Sequence, residues 1–470
     1  MSSSSLTPAE LTRLLGDWSA YTGTLSQQVA AAISEVILSA AIPTGARLPS
    51  QRSLAETLGV ARGTVSDAFD QLALSGLVDL NPGARARVRG SATAARTTAR
   101  LDSFSDRTNL IDLSSGALPG LDEVTTAFQT LDPDSLRSLV RGDGYEPHGL
   151  LALREAIAAD LSARGTTTAP DDLLITSGAQ QAVWLCAQML TAAGDVAVME
   201  EPTYRGAIEA FGNLGARLIG VPVTSAGVDV DHLIHLVKRM RPRVVYLQPT
   251  AHNPTGVTMS LASRRALVAA LQDAETTVIE DTSTADLLFE ASAPPTLTRL
   301  LHGSTRVLMI GTVSKLWWGG LRVGWIKGER GLLRHLAELR KGIDLSGSPV
   351  DQMVASRLIP LSSEARAKRR ESLAAGRDAL LRALRAELPT WSYFTPSGGT
   401  GLWVDTHVDS VRLTRVARDL GVRVVPGPSF SVTSGMRTYV RLPFGGSEET
   451  IWSATEALAT AFNAVQRNDA

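Results

Sequence analysis

The stretch GTVSKLWWGGLRVGWI, from Gly311 to Ile326, decides the fold of most of this chain. It continues the apolar run RVLMI, which predicts a buried strand, into a turn rich in tryptophan and glycine. The turn carries Lys315 between apolar side chains. Such a lysine could simply be a surface charge. If the apolar side chains enclose it, burying its charge is costly unless the amine has a lowered pKa or a chemical use. Formation of a Schiff base with an aldehyde cofactor is the obvious use.

Pyridoxal 5'-phosphate (PLP) is one such aldehyde, and its phosphate requires backbone N–H groups at a helix start, hydroxyls and a cation. The segment SGAQQ follows the strand-like run DLLIT and opens a helical run, although a Ser-Gly pair before a helix is commonly only a cap. Hydroxyl and guanidinium groups also flank Lys315 at suitable spacing. The predicted phosphate contacts are Ser177, Gly178, Ala179, Ser314 and Arg322.

The pyridine ring of PLP requires three further groups. Asp281 ends the apolar run TVIED and is the candidate that keeps the ring nitrogen protonated, which makes the ring an electron sink. Asn253, in HNPTG, is the candidate donor to the phenolic oxygen, and Tyr204, in EEPTYRG, is the candidate that stacks on the ring. An aspartate at a strand end is also commonly a turn residue, so the prediction depends on the combination.

The order of apolar runs predicts the architecture. From residue 109 onward, strand-like runs alternate with Ala/Leu-rich helical runs, which indicates an α/β fold with a mostly parallel sheet and helices on both faces. Small residues, threonine and arginine dominate the segment before it, which predicts a linker. The predicted domains are 1–90, 91–108 and 109–470.

Composition narrows the class of protein. Hydrophobic residues make up 44% and charged residues 20% of the 470 residues, which excludes wholesale disorder. The single cysteine, Cys186, excludes an internal disulfide and a cysteine zinc site; we expect it to pack in a core, and we predict no metal site. The chain shows neither a signal peptide nor an apolar stretch that could span a bilayer, so we predict a cytoplasmic protein without a membrane partner.

The N-terminal block has helical signals and a basic charge. Ser50 or Ser53 can cap a helix that ends before Gly59, a second helix begins near Arg62, and LVDL-NPG-ARARV predicts a strand-turn-strand wing. Residues 45–100 contain eight arginines and four acids, which favours a polyanionic partner. The alternative is a small helical bundle with a solvated charged face.

The N-terminal block resembles the winged helix-turn-helix of the GntR regulator family, whose pattern LPS-x-R-x-LA-x-x-LGV-x-R-x-TV it matches over residues 48–77. Its wing departs from the family's glycine-rich tip, because NPGARARV carries extra arginines that predict more phosphate contacts. The resemblance and this wing imply DNA contacts by Ser50, Arg52, Arg62, Thr64, Arg85 and Arg87.

The rest of the chain, about residues 110–461, is similar to the fold type I PLP aminotransferases. The motifs GYEPHG, SGAQQ, NPTG, the ED pair, S-K-x6-R and YVRLPFG occur in the family's order. The resemblance implies a large fold type I PLP-dependent aminotransferase-like domain, with a smaller C-terminal α/β subdomain and PLP on Lys315. It also implies that Arg441 grips a substrate or effector carboxylate, and that Tyr145 reaches the phosphate of the partner subunit in a homodimer.

Two features depart from or add to the aminotransferase pattern. Ser283 and Thr284 stand where a tyrosine usually donates to the phenolic oxygen, so that oxygen loses a donor unless Tyr246 or another group replaces it. This departure predicts weak or vestigial transaminase activity. The adjacent Trp317 and Trp318 are predicted to pack rather than to shape the cofactor pocket.

Together the two halves resemble the MocR subfamily of GntR-type regulators. The resemblance implies a PLP-dependent transcriptional regulator that senses an amine, an amino acid or PLP itself and binds double-stranded DNA at paired half-sites. Two alternatives remain open: an active PLP-dependent aminotransferase with an accessory N-terminal domain, and a winged helix that binds protein.

Overall fold

The computed structural model of the chain forms two compact units, Met1–Asp106 and Arg107–Ala470. It describes residues 6–16, 18–20, 24–38, 42, 45–74, 77–80, 85–88, 110–272, 274–290, 293–301, 306–433 and 435–467. The predicted linker, 91–108, and the predicted NPG turn of the wing lie outside the described residues.

The N-terminal unit is a winged helix-turn-helix. Ser50 caps α3 by accepting a hydrogen bond from the Ser53 amide, and Gly59 ends this helix in the left-handed region at φ 68°. Val65 and Phe69 of α4 are buried against the other helices. Two short strands, β1 (Val78–Asp79) and β2 (Arg87–Val88), pair antiparallel as the wing. The helices α1–α4 span Pro8–Leu15, Leu25–Leu38, Gln51–Leu58 and Arg62–Leu74.

The C-terminal unit is built on an eight-stranded sheet in the order β4-β11-β10-β9-β8-β5-β6-β7. Every pairing that does not involve β7 or β11 is parallel, so the predicted mostly parallel sheet is confirmed. The strands β4–β11 span Leu173–Thr176, Val196–Glu201, Arg217–Thr224, Gly227–Val228, Val244–Leu247, Thr277–Asp281, Val307–Thr312 and Gly324–Lys327.

Helices cover both faces of this sheet, as the alternating pattern predicts. The helices α5–α14 span Asp122–Gln129, Pro133–Val140, Leu151–Ala163, Ala179–Leu190, Arg205–Asn213, Val230–Met240, Leu261–Leu271, Leu297–Leu300, Arg330–Lys341 and Pro349–Leu358. One face of the sheet packs on α8, α9 and α13. The opposite face packs on α7 and α14 at one end of the sheet and on α10 and α11 at its far end. Cys186 of α8 is fully buried in the first of these cores.

A smaller α/β subdomain completes the unit, as predicted. Its sheet has the order β12-β13-β16-β15, and a separate parallel pairing joins β14 to β3. Three helices pack on it around one apolar core. The helices α15–α17 span Ser362–Glu387, Ser410–Asp419 and Glu448–Arg467, and the strands β3 and β12–β16 span Ile111–Asp112, Ser392–Tyr393, Gly401–Asp405, Val422–Arg423, Val425–Pro426 and Tyr439–Pro443. No helix among the described residues is long and apolar enough to cross a membrane.

Candidate cofactor site and DNA interface

Lys315 lies in the turn between β10 and β11, with its ammonium end enclosed. Its Nζ donates a hydrogen bond to the carbonyl oxygen of Gly116 at 3.0 Å. The pKa of Lys315 is lowered to about 8, first by desolvation and then by repulsion from Arg441, while attraction to Asp281 acts in the opposite direction. A lysine with this pKa has a substantial neutral, nucleophilic fraction near neutral pH.

Asp281 is a buried carboxylate at the carboxyl end of β9, with 1% of its surface exposed. Its Oδ1 accepts from the Ser283 amide at 2.9 Å, and its Oδ2 accepts from the Tyr246 hydroxyl at 2.5 Å and the Gln248 side-chain amide at 3.2 Å. Burial raises the pKa of Asp281, whereas the hydrogen bonds lower it. The Tyr246 hydroxyl therefore donates to Asp281. In this structure it does not take the place of the tyrosine that is missing at positions 283 and 284.

Gln248 connects the two residues that are predicted to contact the ring nitrogen and the phenolic oxygen of the cofactor. Its Nε2 contacts Asp281, and its Oε1 accepts from the backbone N–H of Asn253 at 3.3 Å. Its own backbone N–H donates to the buried carboxylate of Glu200 at 2.7 Å. The sequence pattern did not point to Gln248, whose only signal is its position five residues before Asn253.

Four of the five predicted phosphate contacts, Ser177, Gly178, Ala179 and Arg322, lie together at the N-terminus of α8. Gly178 precedes this helix at φ 85°, and the Arg322 Nη2 donates to the Ser177 carbonyl oxygen at 2.8 Å. A Cβ on Gly178 would lie 2.9 Å from that Nη2, and a Cβ on Gly324 would lie 2.6 Å from the Gly178 carbonyl carbon. Gly324 is required for the close approach of β11 to the backbone at the start of α8, whereas a Cβ on Gly178 would displace the Arg322 guanidinium. The result is a cationic cradle of backbone amides.

Two residues that sequence reasoning missed support this cradle. Asp344 accepts from the Ser177 hydroxyl at 3.1 Å and from the Gln181 amide at 2.5 Å. The Thr312 hydroxyl donates to the Ser314 hydroxyl oxygen at 2.9 Å and so fixes the residue next to Lys315. Asp344 stands 167 residues from Ser177, and no motif marks it.

Arg441, on β16, is a buried cation with 8% of its surface exposed. Its Nη2 donates to the Ser114 carbonyl oxygen at 2.8 Å, while its buried Nε has no hydrogen-bond partner and no ion pair forms with the described residues. Burial, followed by repulsion from Arg205, lowers the pKa of Arg441 to about 10. Ser114 and Gly116 belong to one segment, so Arg441 and Lys315 meet at the same short stretch of chain.

The predicted aromatic contacts divide into two groups. Tyr204 lies at the cradle, where its hydroxyl donates to the Gln180 side chain at 2.6 Å. Tyr145 is 58% exposed, and its backbone N–H donates to the Asp143 carboxylate at 3.0 Å. Trp317 is buried in the core, as predicted, whereas Trp318 is 41% exposed and lies against Gly120.

The predicted DNA contacts lie at the start of α3, at the start of α4 and on the wing of the N-terminal unit. Arg62 is exposed at the start of α4, and Thr64 is half-buried two residues later. Arg52 is exposed and forms an i,i+4 ion pair with Glu56 at 3.2 Å. Arg85 and Arg87 are exposed on the wing, where the Arg87 Nε donates to the Gly45 carbonyl oxygen at 3.0 Å.

The C-terminal site fits PLP on the chemistry of its side chains. It combines a nucleophilic amine, a buried acid held by three donors, and an amide cradle that a Cβ would fill. The described residues include no group of three or more His, Cys, Asp or Glu side chains that could hold a metal ion.

Residues 108–458 match the family model of class I and II aminotransferases. The chain belongs to the class I and II aminotransferases. This aminotransferase unit follows a match, over residues 25–88, to the gntR family of bacterial regulatory proteins, which implies DNA binding. The combination is that of the MocR subfamily.

Relatives of both kinds support this assignment. The chain is 29% identical to the uncharacterized HTH-type transcriptional regulator YisV of Bacillus subtilis, over 89% of this chain and 92% of that one. It is 32% identical to 2-aminoadipate transaminase of Thermus thermophilus, over 64% of this chain and 75% of that enzyme. Among solved structures, the chain is similar to LysN, the α-aminoadipate aminotransferase of Thermus thermophilus, complexed with N-(5'-phosphopyridoxyl)-L-leucine. The match has a TM-score of 0.71 and 28% identity, and it covers 81% of this chain and 98% of LysN. These aminotransferase relatives identify PLP as the cofactor of the fold.

Proposed function

We propose that the chain is a PLP-binding transcriptional regulator in which the aminotransferase-like unit senses a small molecule and the winged helix reads DNA. The observation that carries the proposal is the presence of a GntR unit in the same chain as the constellation of Lys315, Asp281 and Arg441. Relatives named as transcriptional regulators align over both units. PLP supplies an electrophilic carbonyl and an electron-withdrawing ring.

Each side chain has a role in this proposal. Lys315 holds the cofactor, Asp281 keeps a proton on the ring nitrogen, Asn253 donates to the phenolic oxygen, and Tyr204 stacks on the ring. Arg441 binds the effector carboxylate, for which its unpartnered buried Nε provides support. The phosphate is held by Ser177, Gly178, Ala179, Ser314 and Arg322.

The regulator acts as a cytoplasmic homodimer in which the segment 91–108 links a DNA-binding domain, 1–90, to the effector domain, 109–470. Exposed apolar side chains of the C-terminal unit, among them Leu151, Ile343 and Leu345, support a self-association surface. Tyr145 of each subunit then reaches the phosphate of the other. Two winged helices on a symmetric dimer require paired half-sites in the DNA.

An amine, an amino acid or PLP changes DNA binding by favouring one arrangement of the dimer. A coupling free energy on the order of 1–3 kcal/mol is sufficient. To test this, the full-length protein is loaded with PLP, reduced with borohydride and digested. Mass spectrometry should find the cofactor on the Lys315 peptide and not in Lys315→Ala.

DNA binding is tested on the same preparations by selection from a random duplex library, with amino acids and PLP then titrated against the selected site. We expect paired half-sites and a ligand-dependent change in affinity for wild type, and loss of the ligand response in Lys315→Ala. A selected site with one unpaired half-site, or a ligand response that survives in Lys315→Ala, would contradict the proposal. Duplex binding that does not weaken with salt would favour a winged helix that binds protein.

A working aminotransferase is the second candidate, favoured by the retained acid Asp281 and by the similarity to 2-aminoadipate transaminase. Single-turnover mixing with a panel of amino acids separates the two functions. Rapid conversion of PLP to pyridoxamine phosphate, followed by many turnovers with a keto acid, would establish the enzyme. Slow or absent conversion together with a ligand-dependent DNA response would establish the regulator.

A further inference from the structure

A cavity of about 380 Å³ lies on the face of the large sheet opposite to Asp281, and we call it the back cavity. Asp281 pairs with Ile310, whose side chain packs on the α8 side of the sheet. The neighbours Met309 and Gly311 line the back cavity on the other side, because successive residues of a strand face opposite ways. The back cavity is therefore separate from the proposed cofactor site, although both use the ends of β9 and β10.

The floor of the back cavity contains Trp325, whose indole N–H has no hydrogen-bond partner among the described residues. Trp325 is 8% exposed and lies over Gly311, where a Cβ would approach its Nε1 to 2.6 Å. Both residues line the cavity, and the Trp325 Nε1 has no acceptor in the part of the chain that is described. Buried indole N–H groups usually have an acceptor. The N–H itself is enclosed by the protein, so an acceptor in the cavity reaches it only after the lining side chains move.

Two arginines of the back cavity have no carboxylate partner among the described residues. Arg370, on α15, is partly buried, and its Nε is buried without a hydrogen-bond partner. Arg299, on α12, is exposed and lies against Gly165. Both guanidinium groups are donors only, so they call for an anion.

The other charges in the wall neutralise one another. Arg366 donates to both Asp160 and Asp286 at 2.8–2.9 Å, and Arg164 contacts Asp286 at 3.0 Å. This four-residue cluster closes the wall between α7 and α15 without an external ligand. Glu290, which is exposed and also lines the cavity, opposes a second negative charge on any ligand.

We propose that the back cavity is a second small-molecule site that takes an organic monocarboxylate with an apolar body. Arg370 and Arg299 bind the carboxylate, and the Trp325 indole N–H donates to it. Apolar side chains of the cavity, including Leu161, Leu288 and Met309, surround the rest of the ligand. This volume suits a ligand of benzoate size. The site goes beyond the proposed function, because it uses none of the residues assigned to PLP or to its effector.

The test uses the full-length, PLP-loaded protein with 4-fluorobenzoate as the probe and 4-fluorobenzamide as its neutral counterpart, both followed by fluorine NMR. Arg370→Gln and Arg299→Gln remove the proposed ligand contacts, and Arg441→Gln removes the carboxylate site beside the cofactor. Arg385→Gln, an exposed arginine on the same helix as Arg370, is the matched control. Arg299 is exposed, so its variant tests the site even if Arg370→Gln is unstable.

We expect saturable binding of the benzoate that is at least about tenfold weaker in Arg370→Gln and in Arg299→Gln. Binding should be unchanged in Arg385→Gln and in Arg441→Gln, and the benzamide should bind at least about tenfold more weakly than the benzoate. Loss of binding in Arg441→Gln with no change in the two cavity variants would place the carboxylate at the cofactor site and overturn the proposal. Equal binding of the benzamide, or no saturable binding up to about 10 mM, would overturn it as well.

Discussion

The rate at which PLP attaches to Lys315 should level off near pH 8. The amine attacks the aldehyde only in its neutral form. The structure lowers the pKa of Lys315 to about 8. At pH 7.5 about a quarter of this amine is neutral, compared with about one part in a thousand for an ordinary lysine, which is a gain of roughly 200-fold.

The causes of this shift give the direction in which two variants should move it. Burial is the largest cause, and the positive charge of Arg441 lowers the pKa further, so Arg441→Gln should move the levelling-off point to higher pH. Asp281 raises the pKa of Lys315, so Asp281→Asn should move that point to lower pH. Substitutions of two charges near one amine therefore have opposite effects.

The assay mixes full-length protein stripped of PLP with the cofactor between pH 6.5 and 10.5 and follows the visible absorbance of the attached cofactor. Lys315→Ala measures attachment to other lysines, and n-butylamine run in parallel accounts for the ionisation of PLP itself. A corrected rate that keeps rising about tenfold per pH unit through pH 10 would show that Lys315 has an ordinary pKa. A shift of both variants in the same direction would refute the assigned causes.

Three further expectations follow from particular contacts. Gly178→Ala should weaken PLP binding more than about tenfold, because the new Cβ would meet the Arg322 guanidinium. Gly194 has a similar positive φ and open space around it, so Gly194→Ala controls for backbone strain in the same titration. Arg62→Gln should lower the slope of log K for duplex DNA against log salt concentration by about 1, and an unchanged slope would remove Arg62 from the interface. Ser50→Ala should lower the free energy of unfolding of the N-terminal unit, measured by urea denaturation, by about 1 kcal/mol, because it removes the acceptor for the Ser53 amide. The control Ser363→Ala lies in the other unit and should leave that transition unchanged.

Local signals made much of the fold predictable. Ser50 and Gly59 mark the two ends of α3 by capping chemistry that depends only on neighbouring residues. Strands and helices of the larger unit were visible as alternating apolar runs. The position of β11, antiparallel between β4 and β10, depends on pairing between segments about 150 residues apart, and no local pattern carries that information.

The same division applies to the candidate site. Asp281 stands out because it ends a buried strand with a polar side chain, and Lys315 because it lies among apolar residues in the turn after the next one. Asp344 and Gln248 do not, because their importance comes from hydrogen bonds to Ser177 and Asp281 across 167 and 33 residues. Tyr246 shows the limit most clearly. Its residue type suggested a replacement donor, but its position on β8 directs the hydroxyl to a neighbouring strand.

The contacts of Ser114 and Gly116 suggest how a ligand signal would reach the winged helix. Their carbonyl oxygens accept from the two cations of the proposed site, Arg441 and Lys315. In the proposed function, an effector carboxylate at Arg441 and the cofactor at Lys315 would compete with those carbonyls, so both ligands would act on one short segment. That segment follows β3, which begins at Ile111, directly after the predicted linker. We therefore expect displacement of Ser114 and Gly116 to be the first step by which the effector domain acts on DNA binding.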